Sequence, residues 1–287
     1  MSRPVKVAAV QIRCSDKPAE NIRKADQKVR EATREGAQII LLPELFETLY
    51  FCQEKNKDHF RYAAGLEQNQ AVSHFRQMAG ELQVVLPVSF FEHQDGRYYN
   101  SIAIIDADGQ ILGTYRKTHI PDGPGYEEKF YFGPGDSGFK VWDTRYGKLG
   151  VGICWDQWFP EAARCMALQG AELLLYPTAI GSEPCREGID SKDHWQICMQ
   201  GHSGANVMPV IAANRTGTEK APGSELTFYG SSFITNEKGQ KIAEADRSSE
   251  QIIYASFDLE AIAAYRDFWG VFKDRRPEMY RRIVESN

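Results

Sequence analysis

The sequence has few of the features that mark several large classes of protein. Its six cysteines among 287 residues stand singly, and none forms a Cys-x-x-Cys pair. Cysteine content this low excludes a disulfide-stabilised scaffold and favours a reducing, cytoplasmic location. No apolar run approaches the ~20 residues of a membrane-spanning helix. The short run at residues 5–10 contains Lys6 and is typical of a strand rather than a secretory signal.

A large excess of charge of one sign is missing as well. The 34 Lys and Arg residues against 39 Asp and Glu give a formal net charge of -5. This balance argues against nucleic acid or an anionic membrane as a partner. The 42% of hydrophobic residues is enough for a sizeable core. Because no repeat, low-complexity tract or Pro/Ser-rich linker divides the chain, we expect one domain over residues 1–287.

Hydrophobic periodicity predicts helices and strands in alternation. The chain opens with a strand over residues 5–12, a helix whose apolar face includes Ala25 and Val29, and a strand over residues 38–42. Such a β-α-β start is typical of a layered α/β fold. Further helices are predicted at 68–82, 159–169 and 190–207, and further strands at 84–88, 98–106, 111–117, 149–153, 173–176, 209–213, 229–235 and 250–257.

Three longer segments, residues 118–137, 178–189 and 214–227, show no clear periodicity. Long loops in a compact domain are usually lids or binding loops. We therefore expect these segments to surround a functional site.

Three reactive residues each follow a predicted strand: Glu44, Lys117 and Cys154. Strand ends of an α/β sheet are where such folds place catalytic groups. Brought together, a carboxylate, an ammonium and a thiol form a nucleophile with a base and an oxyanion partner. Taken singly, each has a commoner structural role: a loop or capping acid, a solvated lysine and a buried cysteine.

Cys154 lies in residues 150–156, Gly-Val-Gly-Ile-Cys-Trp-Asp. Small glycines allow a sharp turn and the close approach of another segment. A thiol at such a turn faces backbone N–H groups, which favour the thiolate. The cysteines at 14, 52, 165, 185 and 198 are interpreted as structural.

Together these motifs resemble the nitrilase-type carbon–nitrogen hydrolase superfamily, whose Glu-Lys-Cys triad occupies three separated strand ends. The matching segments are residues 42–44, 115–119 and 152–156, in the same order. The resemblance covers a core of about residues 5–275 and leaves a C-terminal tail over about 270–287. It implies a single-domain four-layer α-β-β-α sandwich. It also implies that Glu44 is the general base, Lys117 the partner of oxyanion and thiolate, and Cys154 the nucleophile.

Members of this superfamily often carry a second glutamate in the loop after the lysine. Glu127 and Glu128 both qualify, and the resemblance favours Glu128, whose spacing from Lys117 is closer to that of ureide-cleaving relatives. The backbone N–H of Trp155 is the natural second oxyanion donor. The resemblance implies no metal and no organic cofactor. The histidines lack metal-ligand spacing, and structural roles are expected for His119, His194 and His202.

Longer stretches, residues 119–132, 155–161 and 176–184, resemble the branch that converts N-carbamoylputrescine to putrescine, ammonia and carbon dioxide. This small cationic ureido substrate needs acids for its ammonium and apolar walls for its four-carbon stem. The candidate acids are Asp122, Glu183 and Glu187. The candidate wall residues are Tyr50, Tyr126, Trp155 and Ile180.

Other readings stay open. Arg186 or Arg215 could bind a carboxylate, as an N-carbamoyl amino acid hydrolase of the β-ureidopropionase type requires. Simple amides and, less well, nitriles suit the same triad. A reading of another class is a non-catalytic scaffold subunit. Family members commonly form dimers or larger homo-oligomers, and the C-terminal aromatic residues Phe268, Trp269 and Phe272 are either contacts between copies or core.

Overall fold

The computed structural model describes residues 2–184, 186 and 188–285 of the chain. The strands are β1 Pro4–Gln11, β2 Ile39–Leu41, β3 Leu86–Gln94, β4 Arg97–Ile105, β5 Ile111–Arg116, β6 Val141–Thr144, β7 Gly147–Val151, β8 Leu173–Pro177, β9 Val210–Ala213, β10 Thr216–Ala221, β11 Ser224–Tyr229, β12 Phe233–Thr235, β13 Lys241–Glu244 and β14 Gln251–Asp258. The α-helices are α1 Pro18–Arg34, α2 Gln70–Leu82, α3 Glu128–Tyr131, α4 Pro160–Leu168, α5 Lys192–Asn206 and α6 Leu259–Trp269. Single 3-10 turns occur at Phe51–Gln53, Lys57–Tyr62, Cys154–Trp158, Pro277–Met279 and Arg281–Ile283.

The strands form two extended sheets and one separate hairpin. In the first sheet, β14-β1-β2 and β3-β4-β5 are joined by a bridge between Ile39 and Val85. The second sheet has the order β13-β12-β9-β8-β7-β6, with β7, β8 and β9 parallel. The hairpin β10-β11 stands apart from both.

Alternation along the strands of the first sheet assigns its two faces. Val7 and Ala9 of β1 belong to the core between the sheets, whereas Ala8 and Val10 pack with α1 and α2. Successive side chains of a strand point to opposite faces, so one strand serves two layers. Val29 of α1, fully buried, is part of the outer layer.

The second sheet follows the same rule. Leu173 and Leu175 of β8 face the first sheet, and Leu174 between them packs with Met166 of α4 and Trp195 of α5. The order of layers is therefore helices, sheet, sheet, helices. The predicted four-layer α-β-β-α sandwich is confirmed.

One predicted loop is wrong. Residues 216–229 form the β10-β11 hairpin rather than an irregular segment, with Pro222 and Gly223 in its turn. Thr, Glu, Lys and Ser dominate the two strands, and the alternation of buried Leu226 and Phe228 in β11 is too short to predict a strand by itself. The single-domain assignment stays a prediction. Every helix within the described ranges is too short or too polar to cross a bilayer.

Candidate active site

Glu44, Lys117 and Cys154 meet where strands of both sheets end. Glu44 follows β2, Lys117 follows β5, and Cys154 follows β7 of the second sheet. The two sheets are tied here by a hydrogen bond from the Glu44 backbone N–H to the Thr178 carbonyl, 3.4 Å. Side chains far apart in sequence thus share one edge of the sandwich.

The Lys117 ammonium is the centre of a buried charge cluster. Its Nζ lies 2.8 Å from Oε1 of Glu44, and 2.9 and 2.7 Å from Oε1 and Oε2 of Glu128. All three side chains are fully buried. Burial alone lowers the pKa of a lysine, but the electrostatic interactions with Cys154, Glu128 and Glu44 raise the pKa of Lys117 well above its ordinary value. The lysine is therefore a fixed cation.

The two oxygens of Glu44 have different surroundings. Oε1 accepts hydrogen bonds from Lys117 and, at 2.7 Å, from Nδ2 of Asn100. Oε2 is buried and has no partner among the described residues. A buried carboxylate oxygen without a donor is unfavourable, so the two oxygens of Glu44 are not equivalent.

Glu128, not Glu127, is the second carboxylate on the lysine. Its Oε1 accepts from the Tyr50 hydroxyl at 2.6 Å. Burial raises the pKa of Glu128, and the neighbouring Lys117 opposes the rise. Glu127 instead pairs with Lys55 at 2.9 Å and is partly exposed. The backbone turns between the two acids and separates them.

Cys154 occupies a strained position at the start of its 3-10 turn, with φ of 63°. Such backbone strain in a non-glycine residue concentrates at functional sites. Gly152 permits the turn, because a Cβ there would meet the Tyr176 ring at 2.9 Å. Burial raises the pKa of the Cys154 thiol and Glu44 adds to the rise, while Lys117 opposes it. The direction of this shift runs against the expected preference for a resting thiolate.

Asp156 joins the nucleophile turn to the end of β5. Its Oδ2 accepts from the Tyr115 hydroxyl at 2.6 Å and from the Ile153 N–H at 2.9 Å. Its Oδ1 accepts from the His119 backbone N–H at 3.0 Å and lies 2.7 Å from His119 Nδ1. Because Asp156 is fully buried, the positions of Cys154 and Lys117 are coupled through this carboxylate.

A cavity of about 500 Å³ opens onto Cys154 and Glu128. Two of the three segments expected to surround a site, residues 118–137 and 178–189, form much of its wall. They are tied together where Tyr126 accepts from the Gly181 N–H at 3.0 Å and donates to the Ser182 carbonyl at 3.2 Å. The wall also includes Asp122, Trp155, Gln157, Trp158, Ile180, Glu183, Arg186 and His194.

Comparison with known proteins settles the family. A family model described as carbon-nitrogen hydrolase matches residues 6–267. The chain belongs to the carbon–nitrogen hydrolase family. The predicted superfamily is thereby confirmed, and the protein is an enzyme of the hydrolase class.

Three relatives of this carbon–nitrogen hydrolase cover nearly its whole length. It is 57% identical to the citrullinase of Francisella tularensis, over 98% of this chain and 99% of the relative. It is 56% identical to the N-carbamoylputrescine amidase of Arabidopsis thaliana, over 98% and 96%. The crystal structure of a carbon-nitrogen hydrolase from Helicobacter pylori G27 superposes with a TM-score of 0.92, at 38% identity over 98% and 99%.

The structure of the hydrolase separates the predicted binding residues. Asp122, Tyr126, Trp155, Ile180 and Glu183 line the cavity. Tyr50 lies behind Glu128 and is 1% exposed, so it supports that carboxylate rather than the cavity wall. Glu187 falls outside the described residues. The catalytic and binding roles of these side chains stay predictions.

The two arginines named as rivals lie in different places. Arg186 lines the cavity together with Glu183. Arg215 is fully buried beneath the Glu44 segment, donating to the carbonyls of Glu44, Leu45 and Thr48 and pairing with Glu219 at 3.1 Å. Its guanidinium therefore holds the backbone around Glu44 and is not part of the cavity wall.

Asn100, Gln157 and Trp158 are functional-site residues that sequence reasoning missed. The signal for Asn100 was available, because a polar amide interrupts the apolar run of the strand paired with β5. Gln157 and Trp158 stand three and four residues after Cys154, within the stretch of residues 155–161 that resembles the family. Only the geometry shows that both side chains line the cavity.

Proposed function

We propose that this enzyme hydrolyses the ureido group of N-carbamoylputrescine, giving putrescine, ammonia and carbon dioxide. The carrying observation is that one cavity contains the Cys154 thiol, the carboxylate of Glu128 and two further acids, Asp122 and Glu183. Such a cavity suits a carbonyl group at one end of a ligand and a cation at the other. Similarity to N-carbamoylputrescine amidases over nearly the full chain supports the proposal.

The first half of the reaction makes a covalent intermediate. Oε2 of Glu44 takes the thiol proton, and Sγ of Cys154 attacks the ureido carbon. The electron pair of the carbonyl moves to oxygen, and the charge is stabilised by Lys117 and the Trp155 N–H. The carbon–nitrogen bond then breaks, ammonia leaves with the proton from Glu44, and a thiocarbamate remains on sulfur.

The second half restores the enzyme. Glu44 takes a proton from water, and the resulting hydroxide adds to the thiocarbamate carbon. The carbon–sulfur bond breaks and Glu44 returns its proton to the thiolate. The released carbamic acid decomposes to amine and carbon dioxide. Glu128, fixed by Lys117 and Tyr50, would accept a hydrogen bond from the ureido nitrogen.

The amine end of the substrate is the basis of specificity in this proposal. Burial raises the pKa of Glu183, and Arg186 opposes the rise. A carboxylate in a partly dehydrated cavity is stabilised when an ammonium binds beside it. Asp122 lies on the same cavity wall and is the second candidate.

Citrulline is a second candidate substrate, favoured by one specific observation. Its tail carries both an ammonium and a carboxylate, and the cavity wall offers Glu183 together with Arg186. The 57% identity to a citrullinase points the same way. Simple N-carbamoyl amino acids have a carboxylate but no free amine, so they would pair with Arg186 and not with Glu183.

A substrate panel tests the proposal. Ammonia release is measured with N-carbamoylputrescine, citrulline, carbamoyl-β-alanine and glutamine at matched concentrations. We expect the highest kcat/KM with N-carbamoylputrescine. A higher kcat/KM with citrulline would mean that citrulline, and not N-carbamoylputrescine, is the preferred substrate. A higher value with carbamoyl-β-alanine would contradict the role given to the acids.

We also propose that the protein forms homo-oligomers in the cytoplasm. Phe268 and Trp269, at the end of α6, are 83% and 59% exposed, whereas Phe272 packs on the outer helix layer. Large exposed aromatic side chains are typical of contacts between copies. Light scattering during size-exclusion chromatography should give the molar mass of a dimer or a larger assembly. The double substitution of Phe268 and Trp269 by serine should lower this mass. A monomeric wild-type protein would contradict this proposal.

A further inference from the structure

Gln157 has a hydrogen-bonding group that its surroundings leave unused. Its side chain is fully buried. Oε1 accepts from the indole N–H of Trp195 at 2.7 Å and from the Thr178 hydroxyl at 3.3 Å. Because an indole nitrogen only donates, this contact fixes which end of the amide is oxygen. Nε2 must then direct its two N–H bonds elsewhere, and it has no partner within the described part of the chain.

The place of this amide relates it to the nucleophile. Gln157 and Cys154 line the same cavity. They stand three residues apart in the segment Cys154–Trp158. A buried donor without a partner at the wall of a cavity is satisfied when an acceptor enters that cavity.

Lys117 and the Trp155 N–H leave room for a further donor at the reacting carbonyl. Nζ of Lys117 lies 2.8 Å from Oε1 of Glu44 and 2.9 and 2.7 Å from the two oxygens of Glu128. The two oxygens of one carboxylate lie too close together to take separate N–H bonds of an ammonium, so Lys117 keeps one N–H for an oxyanion. The oxygen of a tetrahedral intermediate has three lone pairs, so it can accept from a third donor beside Lys117 and the Trp155 N–H.

We infer that Gln157 donates an N–H hydrogen bond from Nε2 to the carbonyl oxygen of the substrate. The bond strengthens as Sγ of Cys154 adds to the carbon and the carbonyl electron pair moves to oxygen. No proton is transferred by the amide. The inference rests on the proposed function only in requiring a carbonyl group attacked by Cys154, and it is independent of the tail of the substrate.

Gln157→Glu is the first test, because it keeps an oxygen for Trp195 and replaces the free donor. At neutral pH we expect kcat to fall by about 10²- to 10³-fold, with KM within a few fold of wild type, for every substrate that wild type hydrolyses. The loss should shrink as pH falls, since a neutral carboxylic acid donates again. A purely structural role would not give this pH-dependent ratio to wild type. Gln157→Met should show the loss without the recovery.

Gln196→Met is the matched control. Gln196 is a buried glutamine of α5 whose Nε2 donates to the Ser231 carbonyl and to Glu244, away from the cavity. This variant should keep kcat. Thermal unfolding of all variants identifies any that do not fold. Alkylation of Cys154 by iodoacetamide forms no oxyanion, so it should proceed at the wild-type rate in both Gln157 variants.

An aldehyde probe separates this inference from the choice of substrate. Propionaldehyde lacks the charged tail of the substrate, but its carbonyl carbon is attacked by Cys154 and its oxygen becomes an oxyanion. Its binding is measured as protection of Cys154 against iodoacetamide. Both Gln157 variants should need about ten- to a hundredfold more aldehyde. Unchanged protection, or a loss of turnover confined to substrates with a carboxylate, would overturn the inference. A wild type inactive on the whole panel would defeat only the proposed function.

Discussion

The Lys117 ammonium lies between two buried carboxylates, so its removal affects both chemistry and stability. Lys117→Ala should lower kcat at least about a hundredfold, the scale of one oxyanion contact. It should also lower the free energy of unfolding by about 3–5 kcal/mol, because Glu44 and Glu128 would remain buried without a cation. Ammonia release and urea unfolding measure the two effects.

Cys154→Ala supplies the contrast to the lysine variant. It should abolish turnover and leave unfolding nearly unchanged, since it removes one small buried group and no charge. Cys165→Ala, at an exposed thiol, is the matched control and should retain activity. Turnover by the Cys154→Ala protein would refute the nucleophile assignment. Glu44→Gln should be inactive with a normal fold, because an amide cannot shuttle a proton.

The amine end of the substrate gives a prediction about specificity. Glu183→Gln should lower kcat/KM for N-carbamoylputrescine by about ten- to a hundredfold, the effect of one charge-assisted hydrogen bond. N-butylurea, which has no amine, should be hydrolysed at nearly the same rate by both proteins. Asp122→Asn is measured alongside. If neither substitution discriminates between the two substrates, the acids do not bind the ammonium.

At this scale the sequence was informative about residue type and less so about contacts. Three motifs in order were enough to name Glu44, Lys117 and Cys154 as candidates. The preference for Glu128 over Glu127 came from the family resemblance. The residue types alone do not show which acid is buried, because that depends on where α3 begins and on the ion pair of Glu127 with Lys55. The prediction that Tyr50 lines the cavity is wrong, because aromatic character alone does not reveal that its hydroxyl faces Glu128.

At the scale of elements, the 3-10 turn at Cys154 depends on Asp156. Asp156→Asn should lower both kcat and the thermal midpoint, because the amide cannot accept from Tyr115, Ile153 and His119 at once. Tyr115→Phe, which removes one donor, should cost less of both. The measurements are kcat, thermal unfolding and the rate of Cys154 alkylation. A normal alkylation rate in Asp156→Asn would show that the turn does not rely on this carboxylate.

Element prediction succeeded where a segment carries many buried apolar residues. The strand over 98–106 and the helix over 190–207 form over Arg97–Ile105 and Lys192–Asn206. The β10-β11 hairpin was not predicted because its two strands pair with each other and only Leu226, Phe228 and Tyr229 are large buried apolar residues. Helix α6 was not predicted either, although Asp258 caps it and Gly270, with φ of 74°, ends it.

At the scale of the whole molecule, the pH dependence of stability should depend on two groups, Glu47 and His202, whose pKa values are shifted in opposite directions. Burial raises the pKa of Glu47 to about 7, and its hydrogen bond from Asn69 opposes the rise. A raised folded pKa means that this stabilising contribution is complete below the ordinary value of 4.5 and is lost as pH rises through 7. Glu47→Gln should therefore gain stability relative to wild type at pH 8 more than at pH 5.

His202 acts in the other direction. It is 4% exposed, its Nδ1 lies 3.0 Å from the Tyr176 hydroxyl, and burial lowers its pKa to about 4 while Glu161 opposes the change. A depressed folded pKa means that stability is complete above the ordinary value of 6.5 and is lost as pH falls through 4. The difference between these two pKa values corresponds to roughly 3 kcal/mol.

His202→Gln isolates this effect, because the amide keeps a polar group for Tyr176 and cannot titrate. Urea unfolding is measured from pH 7 to pH 4 for wild type and variant. We expect the difference in unfolding free energy, wild type minus variant, to fall by about 3 kcal/mol over this range. Activity at pH 7 should be retained, because His202 lies outside the cavity wall. A difference that stays constant with pH would mean that His202 accepts its proton as readily in the folded protein as in the unfolded chain.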